Sequence, residues 1–122
     1  MTLVDTSVWI DHFRSANQQL TVLLTENAVL AHPFVVGELA LGTLRHPEPL
    51  LDSLVKLPQA VRAEDTEVLQ LIRQRKLAGM GIGYVDAHLL ASTLLSADAS
   101  LWTYDKRLAT VASRLGIAAR LP

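Results

Sequence analysis

Short apolar segments alternate with helix-period segments along almost the whole chain, and this alternation restricts the fold more than any other feature. Strands separated by helices cannot be joined by tight hairpins, so they pair in parallel through right-handed crossovers. Residues 2–4 read as a short buried strand, and 7–14 as a helix with Thr6 or Asp5 available as its cap. Residues 18–25 form a second helix pattern, with Leu20, Leu23 and Leu24 on one face. Residues 28–32 read as a strand, and Pro33 suits the first turn of a helix running to about Leu44. A turn follows at 46–49, then a helix over 50–57 closed by Pro58, then a short strand over 59–62. Residues 64–78 form an amphipathic helix, which Gly79, Gly81 and Gly83 interrupt. Residues 84–97 are nearly all apolar and predict a central helix. A strand over 100–104, a helix from Asp105 to Leu115, Gly116 as its stop and a strand over 117–119 complete the chain. The expected fold is one α/β domain over 1–122. It is a three-layer α/β/α sandwich around a parallel sheet of about five strands, with no internal repeat and no linker.

Four acids stand where this pattern meets a turn or a buried face: Asp5, Glu38, Asp86 and Asp105. Each has strongly apolar neighbours, and carboxylates are rarely buried unless paired or bound to a metal. Asp5 and Asp105 follow directly on strands. In open α/β sheets, ligands bind in the crevice beyond the carboxyl ends of the strands. Glu38 and Asp86 lie near the starts of helices that can lean toward the same end. Asp86 shares a helix face with Leu89 and Leu90, so that face should point inward. Each acid also has a plain structural reading: Asp5 and Asp105 as helix caps, and Glu38 as a solvated helix position. Asp86 is the hardest to explain that way, because its helix has almost no polar face. If the four converge, their repulsion requires a cation, and carboxylate-held divalent ions are the usual tool for phosphodiester hydrolysis.

Composition narrows the classes further. The chain has 122 residues and 50% hydrophobic residues, and its mean hydropathy is +0.28. That length buries roughly two thirds of the unfolded surface. The apolar excess leaves surface for a partner such as a second copy to cover. With no cysteine there is neither a disulfide framework nor a thiolate metal site. No apolar run approaches a membrane span and no signal peptide is readable, so a cytoplasmic location is expected. The net charge is −1, and setting aside the four acids turns it into +3 for the remainder. Basic residues cluster at Arg73, Arg75 and Lys76, at Lys106 and Arg107, and at Arg114 and Arg120. Such clusters suit a phosphate backbone, although solvated helix faces explain each one taken singly. His88 lies two residues from Asp86 and therefore on another side of the helix; it reads as a packed histidine. His12, His32 and His46 show no ligand spacing, and Trp9 and Trp102 read as core. The glycine series at 79–83 follows a helix rather than a strand, so a dinucleotide loop is excluded.

The run Leu3-Val4-Asp5-Thr6-Ser7-Val8-Trp9-Ile10 resembles the opening motif of PIN-domain ribonucleases. Glu38 within Val35-Val36-Gly37-Glu38-Leu39 is similar to their second acid. Gly83-Tyr84-Val85-Asp86-Ala87-His88-Leu89-Leu90 resembles the third-acid motif, and Leu101-Trp102-Thr103-Tyr104-Asp105-Lys106-Arg107-Leu108 the fourth. The resemblance covers nearly the whole chain in the right order. It is nearest to the VapC-type toxins of toxin–antitoxin pairs. One departure is Tyr104, which stands where many relatives carry a basic or polar residue and bears on substrate handling rather than metal binding.

The resemblance implies an endoribonuclease dependent on Mg²⁺ or Mn²⁺, with one or two ions held by Asp5, Glu38, Asp86 and Asp105. Asp5 and Asp86 would be the main ligands, Glu38 a ligand or water-orienting base, and Asp105 a ligand of the second ion. Thr6, Ser7 and, less strongly, Thr103 would hydrogen-bond a carboxylate or a bound water. Arg73, Arg75, Lys76, Lys106 and Arg107 would contact the RNA backbone. The implied partners are a tRNA or rRNA substrate, a VapB-type antitoxin and a second copy in a homodimer, with no membrane. Three rival classes remain. A haloacid-dehalogenase-like phosphatase using Asp5 wants a second Asp where Ser7 stands, and a phospho-acceptor domain wants an N-terminal acidic pair and a matching lysine. A non-catalytic PIN-like domain that binds RNA or protein would be marked by the loss of one acid, and all four are present.

Overall fold

The computed structural model describes residues 1–121. In chain order it contains β1 (Thr2–Val4), α1 (Thr6–Arg14), α2 (Gln18–Thr25), β2 (Val29–Leu30) and α3 (Pro33–Leu41). These are followed by α4 (Pro47–Val55), α5 (Asp65–Gln74), α6 (Tyr84–Leu95), β3 (Ser100–Trp102) and α7 (Lys106–Arg114). The three strands form one parallel sheet in the order β2-β1-β3. β1 pairs with β3 in the register Thr2↔Ser100, Leu3↔Leu101, Val4↔Trp102. Helices α6 and α7 pack against β3, α5 packs against α6, and α3 packs against α1 and α4.

The expected sheet of about five strands is corrected to three. The segments at 59–62 and 117–119 touch the sheet at one isolated parallel bridge each, Ala31↔Gln59 and Leu101↔Ala118. On the first edge the contact consists of Ala31 N to Pro58 O at 2.8 Å and Ala60 N to Ala31 O at 2.8 Å. Proline at 58 has no amide hydrogen, so the ladder cannot extend backward through that residue. Helix ends also differ from expectation. α4 begins at Pro47, because His46 adopts a left-handed backbone (φ 49) that lets Pro47 take the first helical position. The expected turn at 46–49 is therefore largely the first turn of that helix. α3 stops at Leu41, ahead of Gly42.

The core is built on fully buried Leu3, Val4, Leu89, Leu90, Leu101 and Leu108, with Trp9 and Trp102 also inside. Each fully buried leucine or valine contributes roughly 1.5–3 kcal/mol of apolar transfer. His32 is a polar group within this core, with no exposed surface. Its Nδ1 accepts a hydrogen bond from Phe34 N at 3.0 Å and so caps α3. The ring proton therefore sits on Nε2, facing Ser92 Oγ at 3.0 Å. Burial, and then the neighbouring charges of His88 and Arg62, lower its pKa from 6.5 to about 4.

That depression sets a sign. Above pH 6.5 His32 is neutral in both folded and unfolded chains, and its contribution to stability is fully present. As pH falls from 6.5 toward 4, only the unfolded chain takes up the proton. Stability is lost across that window, by roughly 3 kcal/mol from the shift to about 4. Urea denaturation at pH 7.5 and pH 4.5 should show this loss in the wild type. His32→Gln should be less stable at pH 7.5 but should show a flatter dependence on pH.

Candidate active site at the carboxyl end of the sheet

β1 ends at Val4, and the next backbone amide, that of Asp5, donates to Trp102 O at 2.9 Å. This bond continues the β1–β3 pairing by one step and sets Asp5 beside Thr103. Asp5 is buried, at 7% exposure, and precedes α1 without any side-chain capping bond. Its Oδ2 instead accepts from Thr103 Oγ1 at 2.7 Å and Ser7 Oγ at 3.0 Å. The plain reading of Asp5 as a helix cap therefore fails. Two hydroxyl donors hold the carboxylate in place.

Asp105 is the opposite case. Its Oδ1 accepts from Arg107 N at 2.9 Å and Leu108 N at 3.2 Å, so it does cap α7. Its own amide donates to Thr103 Oγ1 at 3.0 Å. Thr103 thus joins Asp105 to Asp5, a larger part than its weak standing in the sequence suggested. Glu38 is exposed on the second turn of α3, and its Oε1 accepts from Thr6 Oγ1 at 2.8 Å. Asp86, half-buried on the first turn of α6, accepts at Oδ2 from Gly83 N at 3.0 Å.

Asp86 also reports the electrostatics of the group. Its pKa is raised, first by burial, with the Gly83 hydrogen bond opposing and the charges of Asp5 and Asp105 adding to the rise. Asp86 thus lies within electrostatic reach of both Asp5 and Asp105. Glu38 is tied to Asp5 through Thr6, the residue after it. Among the described residues, no three His, Asp or Glu side chains form a ready-made metal cage. Each carboxylate is held by its own hydrogen-bond donors. The donor set is oxygen alone, carboxylates and hydroxyls, which suits a hard ion such as Mg²⁺ or Mn²⁺. Mg²⁺ keeps several waters and needs only one or two protein carboxylates. On this chemistry the residues fit such an ion.

The basic residues divide into two groups. Lys106 and Arg107 are exposed and follow Asp105 directly. The Arg107 side chain lies across Gly81, where an added Cβ would stand 2.7 Å from Arg107 Cδ. Gly81 has φ +79 and so needs glycine twice over, for its backbone and for the passage of the arginine. Gly81 thus lies against the Arg107 side chain, a pairing no local sequence pattern could show. Arg73, Arg75 and Lys76 lie at the end of α5 and just beyond it. There Arg114 Nη2 donates to Arg75 O at 2.8 Å. Arg114 closes α7, and its Nη1 also donates to Met80 Sδ at 3.5 Å, one residue before the Gly81 on which Arg107 lies. His88 is 2% exposed, with Nε2 3.1 Å from Asp65 Oδ1 on the side of α6 away from Asp86.

Chemical denaturation should separate two glycines. Gly81→Ala should cost on the order of 1–2 kcal/mol from the positive φ and the Arg107 clash. Gly37→Ala should gain roughly 0.5–1 kcal/mol, because Gly37 lies within α3 and its Cβ would meet nothing within 4 Å.

Comparison with known proteins agrees with this geometry. The PIN domain family matches residues 2–114. Ribonuclease VapC32 of Mycobacterium tuberculosis, in both strain CDC 1551 / Oshkosh and strain ATCC 25618 / H37Rv, is 46% identical over 118 residues. The alignment covers 97% of this chain and 95% of that protein. A family match over residues 2–114 and 46% identity over nearly the full length of Ribonuclease VapC32 establish that this chain belongs to the PIN-domain family and is of the VapC type.

Proposed function

We propose that this chain is a metal-dependent endoribonuclease, the toxin of a toxin–antitoxin pair, acting as a single three-layer PIN-like domain over 1–122. The observation that carries this reading is that Thr103 joins Asp5 to Asp105 beyond the ends of β1 and β3, with Asp86 within electrostatic reach of both. The name ribonuclease, borne by relatives 46% identical to the chain, supports it.

Asp5 and Asp86 are the main ligands for one or two Mg²⁺ or Mn²⁺ ions, with Glu38 and Asp105 completing the acidic wall. When bound, the ion supplies charge stabilisation at the scissile phosphate and activates water. The chain's own residues prepare for this. Thr103 and Ser7 hold the Asp5 carboxylate in one orientation. Thr6 holds one oxygen of Glu38, leaving the other to orient or deprotonate the attacking water. Lys106 and Arg107 draw the RNA backbone to the acids, and Arg73, Arg75 and Lys76 extend that contact along α7. The substrate is tRNA or rRNA.

A VapB-type antitoxin would cover the site, and the protein would work in the cytoplasm. Among the described residues, no helix is long and apolar enough to cross a membrane. A homodimer would cover apolar surface such as Leu94 and Leu95 at the end of α6, which are 40% and 42% exposed.

Incubation of the purified protein with total tRNA and rRNA in Mg²⁺ or Mn²⁺ tests this reading. Discrete fragments are expected, and EDTA should abolish them. Asp5→Asn, which removes charge while nearly keeping shape, should lower the rate by at least about a hundredfold. Thr103→Val, which removes a hydroxyl donor to Asp5, should lower it roughly 10- to 100-fold without unfolding the protein. Cleavage that survives both EDTA and Asp5→Asn would overturn the metal-nuclease reading.

A further inference from the structure

We propose that Tyr104 is a stacking platform for a nucleobase next to the scissile phosphate. The proposal rests on the ribonuclease reading and gives that site a means of gripping its substrate. Tyr104 lies between Thr103 and Asp105, and its amide donates to Ser7 Oγ at 3.0 Å. The same Ser7 hydroxyl holds Asp5, so the backbone of Tyr104 stands one hydroxyl away from the central carboxylate.

The side chain combines exposure with immobility. It is 49% exposed, although Trp102, two residues earlier, is buried. The phenol oxygen of Tyr104 accepts from Asn17 Nδ2 at 2.7 Å. Asn17 is itself fixed, because its Oδ1 caps α2 by accepting from Leu20 N at 3.1 Å. Its amide also donates to His12 Nδ1 at 3.0 Å. The Trp102 and Tyr104 rings meet nearly perpendicularly, with centroids 5.9 Å apart and an 84° angle. A half-exposed ring held at both ends has already lost its rotamer freedom, so stacking upon it costs little ordering. Every base has a π-face, and aromatic stacking is how proteins hold unpaired nucleotides without reading their edges.

The surroundings favour a base over a phosphate at this spot. Asn17 Nδ2 also donates to Asp11 Oδ2 at 3.2 Å, which places a carboxylate near the Tyr104 hydroxyl. That anion repels phosphate but can accept from the amino groups of bases. Tyr84, also exposed, is held on another part of α6: its hydroxyl donates to Asp65 at 3.1 Å and its ring meets His88 at 4.8 Å. It also lies two helical residues from Asp86, on another side of α6. Tyr104 is therefore the exposed ring that the acids and their substrate can share.

The test uses a single-stranded RNA oligonucleotide spanning a cleavage site mapped in tRNA or rRNA, with an abasic position walked along it. Tyr104→Ala should raise KM roughly tenfold and change kcat less, while Tyr104→Phe and Tyr104→Trp, which keep a ring, should raise KM at most about twofold. One abasic position should weaken binding to Asp5→Asn roughly tenfold, yet have little effect on Asp5→Asn combined with Tyr104→Ala. That coupling is the signature of a base resting on this ring. Abasic penalties equal in both proteins would overturn the proposal while cleavage by the wild type still supported the nuclease reading. Equal losses in Tyr104→Phe and Tyr104→Ala would also overturn it, by showing that the hydroxyl acts through Asn17. No RNA cleavage by the wild type would overturn both readings.

Discussion

The parallel pairing of β1 with β3 is the constraint on which the site depends. It joins residues nearly a whole chain apart, Thr2 to Ser100 and Val4 to Trp102. The next residue on each strand then falls into place: Asp5 N donates to Trp102 O, and Thr103 Oγ1 donates to Asp5 Oδ2. What fixes the register is burial, because Leu3, Val4 and Leu101 have almost no exposed surface. A slip of one residue would exchange the two buried faces of β1, on which Leu3 and Val4 lie, and carry Thr103 away from Asp5. The precision of the site is thus inherited from apolar packing a few ångströms behind it.

Against this packing stands a concentration of like charge. Burial and the charges of Asp5 and Asp105 both make ionisation of Asp86 harder. The fold answers with short-range donors rather than countercharges. Thr103 and Ser7 serve Asp5, Thr6 serves Glu38, and the Gly83 amide serves Asp86. Hydroxyls and amides stabilise an anion without neutralising it, so the negative potential survives for a cation to use. A lysine or arginine in the same places would stabilise the protein more and remove the reason for a cation to bind.

The order of elements was readable in the sequence because it rests on a local fact, apolar periodicity; the four acids were singled out by another, carboxylates in apolar company. What was not readable depends on contacts between distant segments. Asp5 and Asp105 look alike locally, each following a strand and preceding a helix, yet only Asp105 caps its helix. The difference comes from Thr103, which reaches Asp5 across the sheet. Sheet width fails for a related reason. The segments at 59–62 and 117–119 are apolar enough to suggest strands, but each forms only one bridge. The start of α4 was misplaced because proline signals both a turn and a first helical position, and the left-handed backbone of His46 decides between them.

Charge clusters show the same limit. Arg73, Arg75 and Lys76 make the denser basic run, whereas Lys106 and Arg107 stand beside the acids. The chain returns from α5 to α6 along α7. Arg114 holds the carbonyl of Arg75 near one end of that helix, and Arg107 lies over Gly81 near the other. Arg114 is thereby spent closing α5, although by sequence it is another surface cation. At the other end, the first amides of α7 are spent on Asp105. The helix terminus therefore has fewer donors left for a phosphate, and attraction there falls to the side chains of Lys106 and Arg107. Contacts with distant segments, rather than local density of charge, thus decide what each of these cations does: Arg114 meets Arg75 and Met80, and Arg107 lies over Gly81.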